Sequence, residues 1–117
     1  MKFLILCLFL FPFTAHATTK YSPESVEMTI HNVFSDLGIG EEMVEIARCE
    51  STLNNLVYRP RDTNGYASLG LFQINKINGE LYDWHIPYNN AKKAKEIYLK
   101  QGFKAWYNCS KKLKLIT

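Results

Sequence analysis

The feature that most constrains this chain is its opening. Met1-Lys2 is followed by an almost unbroken apolar run from Phe3 to Phe13 and then by Ala15-His16-Ala17. A short positive start, an apolar stretch and a small-x-small site mark residues 1–17 as a secretory signal peptide. The run falls short of the roughly 20 apolar residues that a membrane span needs, and Pro12 is ill suited to a helix interior. The remainder, 18–117, is about 100 residues, enough for one compact domain. Cleavage removes Cys7, which lies too early to be a lipoprotein acceptor, and leaves Cys49 and Cys109 as an even pair in an oxidising compartment. A disulfide between them is expected, and a domain this small gains from such a staple.

Charge excludes some classes of partner. The formal charge is +3, and loss of Lys2 with the leader lowers it to +2. Lys111, Lys112 and Lys114 gather near the end, a tail suited to an anionic surface or simply to solvent. Nucleic-acid binding calls for a stronger basic stripe. The two cysteines and the two histidines beyond the leader, His31 and His85, show no ligand spacing, so no metal is expected. No later segment is apolar enough for a membrane anchor, and the exported product is expected to be a monomer in the periplasm or outside the cell.

No repeat or Pro/Gly/Ser-rich linker divides the chain. Ser22-Pro23-Glu24 is a helix start, with a hydroxyl N-cap, proline at the first helical position and an acid in the first turn. Val26, Ile30, Val33, Phe34 and Leu37 recur at helical spacing until Gly38 ends the run. A second helix starts near Gly40-Glu41-Glu42, with Met43, Ile46 and Ala47 on its apolar face. Leu56, Val57 and Tyr58 favour strand, and Arg59 to Gly65 is turn chemistry, together predicting a small hairpin or flap. Leu71, Phe72, Ile74 and Ile77 suggest a short apolar helix. Asn90 to Gln101 is a further helix with Ala91, Ala94, Ile97 and Tyr98 inward, stopped by Gly102. Phe103, Trp106 and Tyr107 form an aromatic cluster beside Cys109. The expected fold class is α+β, mainly helical, with one small β element.

Glu50 is the residue best placed for chemistry. It falls in register with Met43, Ile46 and Ala47, so the helix turns its carboxyl toward the core. Burial resists ionisation. A carboxyl kept protonated near neutral pH can serve as a general acid. The same spacing is also met by a salt-bridged glutamate at the end of an amphipathic helix.

The run Ile46-Ala47-Arg48-Cys49-Glu50-Ser51, followed by Gly70-Leu71-Phe72-Gln73-Ile74-Asn75, resembles the lysozyme-like superfamily. More closely, it is similar to small lytic transglycosylases of the soluble-lytic-transglycosylase (SLT) type. Asn89-Asn90-Ala91, Ile97-Tyr98-Leu99 and, less closely, Tyr107-Asn108 extend the likeness, which covers Met43 to Cys109. The resemblance implies a lysozyme-like domain acting on peptidoglycan, with the cleft between helices and flap. Glu50 would protonate the oxygen linking N-acetylmuramic acid (MurNAc) to N-acetylglucosamine (GlcNAc). Ser51 would support that carboxyl beside the substrate. Gln73 and Asn75 would hold the sugar's polar groups, Phe72 would form an apolar wall, and Tyr98 or Tyr107 would offer a hydroxyl. For Gln73 and the tyrosines, packing and internal hydrogen bonding are the competing roles.

One departure bears on mechanism. Animal-type lysozymes carry an aspartate two residues before the glycine of the second motif, and here that position is Ser68. Asp62, in the flap, is the candidate second carboxylate, though an aspartate in such a turn has a structural explanation too. The expectation is therefore a single-carboxylate scheme. Glu50 protonates the leaving oxygen, the substrate's N-acetyl group stabilises the sugar cation, and Glu50 then deprotonates the 6-hydroxyl to close a 1,6-anhydro ring. Substrate assistance is an accepted exception to paired carboxylates, and no cofactor is needed. The alternatives are a hydrolytic lysozyme using the same Glu50, an inactive glycan-binding protein, and a disulfide-stapled interaction module. Small size without wall-binding repeats favours a local role, such as opening the wall for a secretion or conjugation apparatus.

Overall fold

A computed structural model describes residues 19–117, and the leader assigned to 1–17 lies outside them. Helix α1 spans Pro23–Phe34 and begins as its sequence dictates. The Ser22 hydroxyl accepts the Ser25 N–H at 3.2 Å, and Pro23 opens the first turn. Val26, Ile30, Val33 and Phe34 form its buried stripe. A 3-10 turn over Ser35–Leu37 follows, and Gly38, at φ +68°, reverses the chain.

Helix α2, Gly40–Ser51, buries Met43, Val44, Ile46 and Ala47 against α1. Its C-terminus is unusual in using two non-glycine residues, Thr52 (φ 56°) and Leu53 (φ 60°), in the left-handed region. The Thr52 N–H donates to the Arg48 carbonyl at 2.9 Å, and Leu53 tucks into the core at 2% exposure. Burial of the Leu53 side chain, about 2 kcal/mol, offsets the backbone strain.

Three two-residue strands follow, β1 (Tyr58–Arg59), β2 (Ser68–Leu69) and β3 (Ile74–Asn75), antiparallel in the order β1-β2-β3. The register pairs Arg59 with Ser68 and Ser68 with Asn75, while Tyr58, Leu69 and Ile74 make up the other row. Alternation sends these rows to opposite faces. The Leu69–Ile74 row is buried, and the Arg59–Ser68–Asn75 row faces a groove.

The apolar run Leu71 to Ile77, expected as a helix, is instead the β2–β3 turn, strand β3 and a 3-10 turn over Lys76–Asn78. A short buried run carries no periodicity that separates the two outcomes, and the turn settles it. Gly70 is at φ +70°, and a Cβ there would lie 2.6 Å from Asn90 Nδ2 and 2.8 Å from the Trp84 carbonyl. Ile77 is 63% exposed and is not part of the core.

Helix α3, Pro87–Gln101, starts three residues before the expected Asn90 because Pro87 takes the first helical position. Ala91, Ala94 and Ile97 pack against α1. A 3-10 segment, Gly102–Trp106, leads into helix α4, Tyr107–Lys112. Phe34, Phe72 and Trp106 make an aromatic chain through the core, with ring centroids 6.1 and 5.9 Å apart. The Trp106 indole N–H donates to the Phe72 carbonyl at 2.9 Å. Tyr107 departs from the expected aromatic cluster and is 53% exposed.

Cys49 and Cys109 are joined, tying α2 to α4 across a sequence separation of 60. The described residues form a compact α+β domain, about 57% helical, with one small antiparallel sheet and one disulfide. No helix among them is long and apolar enough to cross a membrane.

Candidate active-site groove

A groove of about 600 Å³ runs between the sheet and the C-terminal helices, within the roughly 300–1,000 Å³ of ligand-binding clefts. One lip is the flap, with Arg59, Asp62, Thr63 and Asn64. The other is helical, with Gln101, Ala105, Tyr107, Asn108 and Lys112. Glu50 and the disulfide lie between them, with Ser68, Gln73 and Asn75 also lining the groove.

Glu50 reaches this place because it continues the face of Met43, Ile46 and Ala47, all fully buried, to the end of α2. The disulfide at the adjacent Cys49 anchors that end. Loss of water around the carboxyl pushes its pKa from the ordinary 4.5 up to about 7, the nearby Arg59 guanidinium opposes the rise, and the Asp62 charge adds to it. A carboxyl of this kind is largely protonated at pH 6 and gives up its proton readily near neutrality.

Asp62 is held in the opposite condition. The Ser68 hydroxyl donates to Asp62 Oδ2 at 2.6 Å, and the Thr63 N–H donates to Oδ1 at 2.8 Å. The Ser68 bond, then the Thr63 bond, hold its pKa below the usual carboxylate value, assisted by Arg59. The turn that carries it is closed by Gly65 N–H to the Asp62 carbonyl and Asp62 N–H to the Tyr66 carbonyl, both 2.8 Å. Asn75 extends the support. Its Nδ2 donates to Ser68 Oγ at 3.2 Å, and its amide pairs reciprocally with Asn64 at 2.9 and 3.1 Å. Ser68 therefore does not leave the groove with one carboxyl, as the sequence suggested. It holds the Asp62 carboxylate there from the neighbouring turn.

Gln73, at φ 48°, is a strut between the strands. Its Oε1 accepts from Arg59 at 2.7 Å, and its Nε2 donates to the Gly70 and Val57 carbonyls at 2.9 and 3.2 Å. Its amide is committed internally, so its part in the groove is to fix Arg59 beside Glu50. Arg59, which in the sequence reads as turn chemistry, and Lys112, which reads as part of a basic tail, are among the groove residues not expected there. The signal that finds Arg59 is the register: Arg59, Ser68 and Asn75 share one row.

Three residues expected at the substrate lie elsewhere. Ser51 is 4% exposed, with its hydroxyl 2.7 Å from the Leu71 carbonyl and 3.1 Å from that of Ala47. It locks the end of α2 to the β2–β3 turn. Phe72 is fully buried in the aromatic chain and is no wall of the groove. Tyr98 packs edge-on against Phe103, centroids 5.0 Å apart, away from the groove lining. Tyr107 does line the groove, with the Lys111 ammonium 5.5 Å from its ring centre. No protein-family model and no curated protein matches the chain.

Proposed function

We propose that this protein is a peptidoglycan lytic transglycosylase of lysozyme-like fold, cleaving the β-1,4 bond from MurNAc to GlcNAc with Glu50 as acid and then base. One observation supports the acid assignment in this reading, a groove that holds two carboxyls in contrasting environments, Glu50 raised to about 7 by burial and Asp62 lowered by donated hydrogen bonds, while the anhydro product rests on the resemblance to lytic transglycosylases. Pairs of acids pushed apart in this way take on separate roles. Glu50 has the proton to give to a leaving oxygen, and Asp62 has the negative charge to stabilise a sugar cation. An Asp62 whose two oxygens are already hydrogen-bonded is a weak base, so Glu50, ionised after the first step, is the group suited to deprotonate the 6-hydroxyl.

A second reading is favoured by the same Asp62. A carboxylate beside the acid also fits a retaining hydrolase, in which it is the nucleophile and water completes the reaction. Mass spectrometry of digested peptidoglycan separates the two. Anhydro-muropeptides are expected, and products heavier by one water establish the hydrolase. Turbidity clearing by wild type and not by Glu50→Gln separates either enzyme from a glycan-binding protein, since glutamine has no acidic proton to donate.

A further inference from the structure

The groove carries two cations to which the cleavage scheme gives no contact with the substrate, although the charge of Arg59 is felt by both Glu50 and Asp62. Arg59 projects from the flap lip and Lys112 from the helical lip, so the two face the groove from opposite sides. Only one hydrogen bond, to Gln73 Oε1, engages the Arg59 guanidinium among the described residues, leaving most of its five N–H donors for a ligand. Neither Arg59 nor Lys112 belongs to an ion pair among those residues. The Asp62 carboxylate is taken up by Ser68 and Thr63. Glu50 is largely uncharged below neutrality. The groove thus presents two available cations against one hydrogen-bonded anion, an excess suited to an acidic polymer.

The wider chain has the same asymmetry. From Pro87 to Thr117 there are eight lysines and the single acid Glu96, so the helical lip belongs to the basic part of the molecule. A polymer of N-acetylated amino sugars offers these groups hydroxyl and carbonyl acceptors but no negative charge. Muramic acid supplies one: its lactyl ether ends in a carboxylate, either free or extended by a peptide that bears carboxylates of its own. Arg is matched to such a partner by its planar fork, and Lys by a point charge on a flexible stem.

Resting on the glycan-cleaving reading of Glu50, we infer that Arg59 and Lys112 are specificity residues that select carboxylate-bearing glycan strands over neutral amino-sugar polymers. Charge pairs at this degree of exposure are individually weak. Two together are expected to give a preference of about five- to tenfold, reduced as salt screens them.

The test compares three substrates: intact peptidoglycan, strands stripped of peptide so that only lactyl carboxylates remain, and GlcNAc oligomers. The readout is the ratio of kcat/KM between charged and neutral substrates for the wild type, Arg59→Gln, Lys112→Gln, the double variant and Arg59→Lys. The ratio is expected to fall about five- to tenfold in the double variant and to be largely retained in Arg59→Lys, which keeps the charge. Loss on intact material alone assigns the contact to peptide carboxylates, and loss on stripped strands as well assigns it to the lactyl group. An unchanged ratio, or one lost equally in Arg59→Lys, overturns the inference. Retention of Glu50→Gln and of its Arg59→Gln, Lys112→Gln derivative on each polymer provides an arm independent of cleavage. If wild type cuts none of the three, the reading of Glu50 fails while this arm still decides charge selection.

Discussion

Glu50→Gln should make the protein more stable at alkaline pH while removing its activity. A carboxyl with pKa 4.5 in the unfolded chain and about 7 in the groove carries up to about 3 kcal/mol of pH-linked free energy. The group retains some contact with water, and screening brings the expectation to about 2 kcal/mol. The sign follows from proton counting. Between pH 4.5 and 7 the folded state keeps a proton that the unfolded chain has released, so wild-type stability falls as pH rises through this window and levels off above it. Glutamine is neutral throughout and does not contribute to that fall. Urea unfolding of both proteins at pH 4 and pH 8 measures the effect. Their difference should change by about 2 kcal/mol in favour of the variant on going to pH 8, or about 10 °C in Tm for a domain of this size. Asp62 titrates in both proteins and largely cancels. A difference that does not change with pH would show that the Glu50 carboxyl is well solvated, and the account of its acidity would fail.

Three further outcomes follow from particular contacts. Reducing the Cys49–Cys109 bond, or replacing both cysteines with serine, opens a 60-residue loop and should cost about 4 kcal/mol in the chain-entropy model, read as a Tm shift with and without reductant. Gly70→Ala forces a side chain into left-handed backbone and against Asn90 Nδ2 and the Trp84 carbonyl; a loss of about 2 kcal/mol or more in urea unfolding is expected. Ser68→Ala removes the donor that holds Asp62, and should cost about 1–2 kcal/mol at pH 7. That loss should shrink in strong acid, because a lowered carboxylate stabilises the fold only above its folded pKa.

The first three helices were legible in the sequence because each carried a pattern and punctuation, whereas α4, Tyr107–Lys112, read there only as an aromatic cluster and a basic tail. Ser22-Pro23 and Gly38 bound the first, and the spacing from Met43 to Glu50 gave both a helix and a carboxyl turned inward. The Cys49–Cys109 pairing was expected from the even number of cysteines left by the proposed leader. The third strand was not legible, because Leu71, Phe72 and Ile74 are apolar in any conformation, and only the left-handed backbone at Gly70 and Gln73 shows the chain turning back. The same limit hid Arg59. Its membership of the groove depends on which residue of β2 lies opposite it, a non-local fact that no single-strand pattern contains. Ser51 and Phe72 adjoin Glu50 and Gln73 in the chain but point into the core, so adjacency in a motif did not amount to adjacency at the groove.

The most direct test is the pH dependence of kcat/KM on purified peptidoglycan. Activity should decline above a midpoint near 7 as Glu50 loses its proton, and Glu50→Gln should be inactive at every pH. A rate that stays level from pH 6 to 9, or a Glu50→Gln protein that still cuts the strands, would contradict the assignment of this carboxyl as the acid.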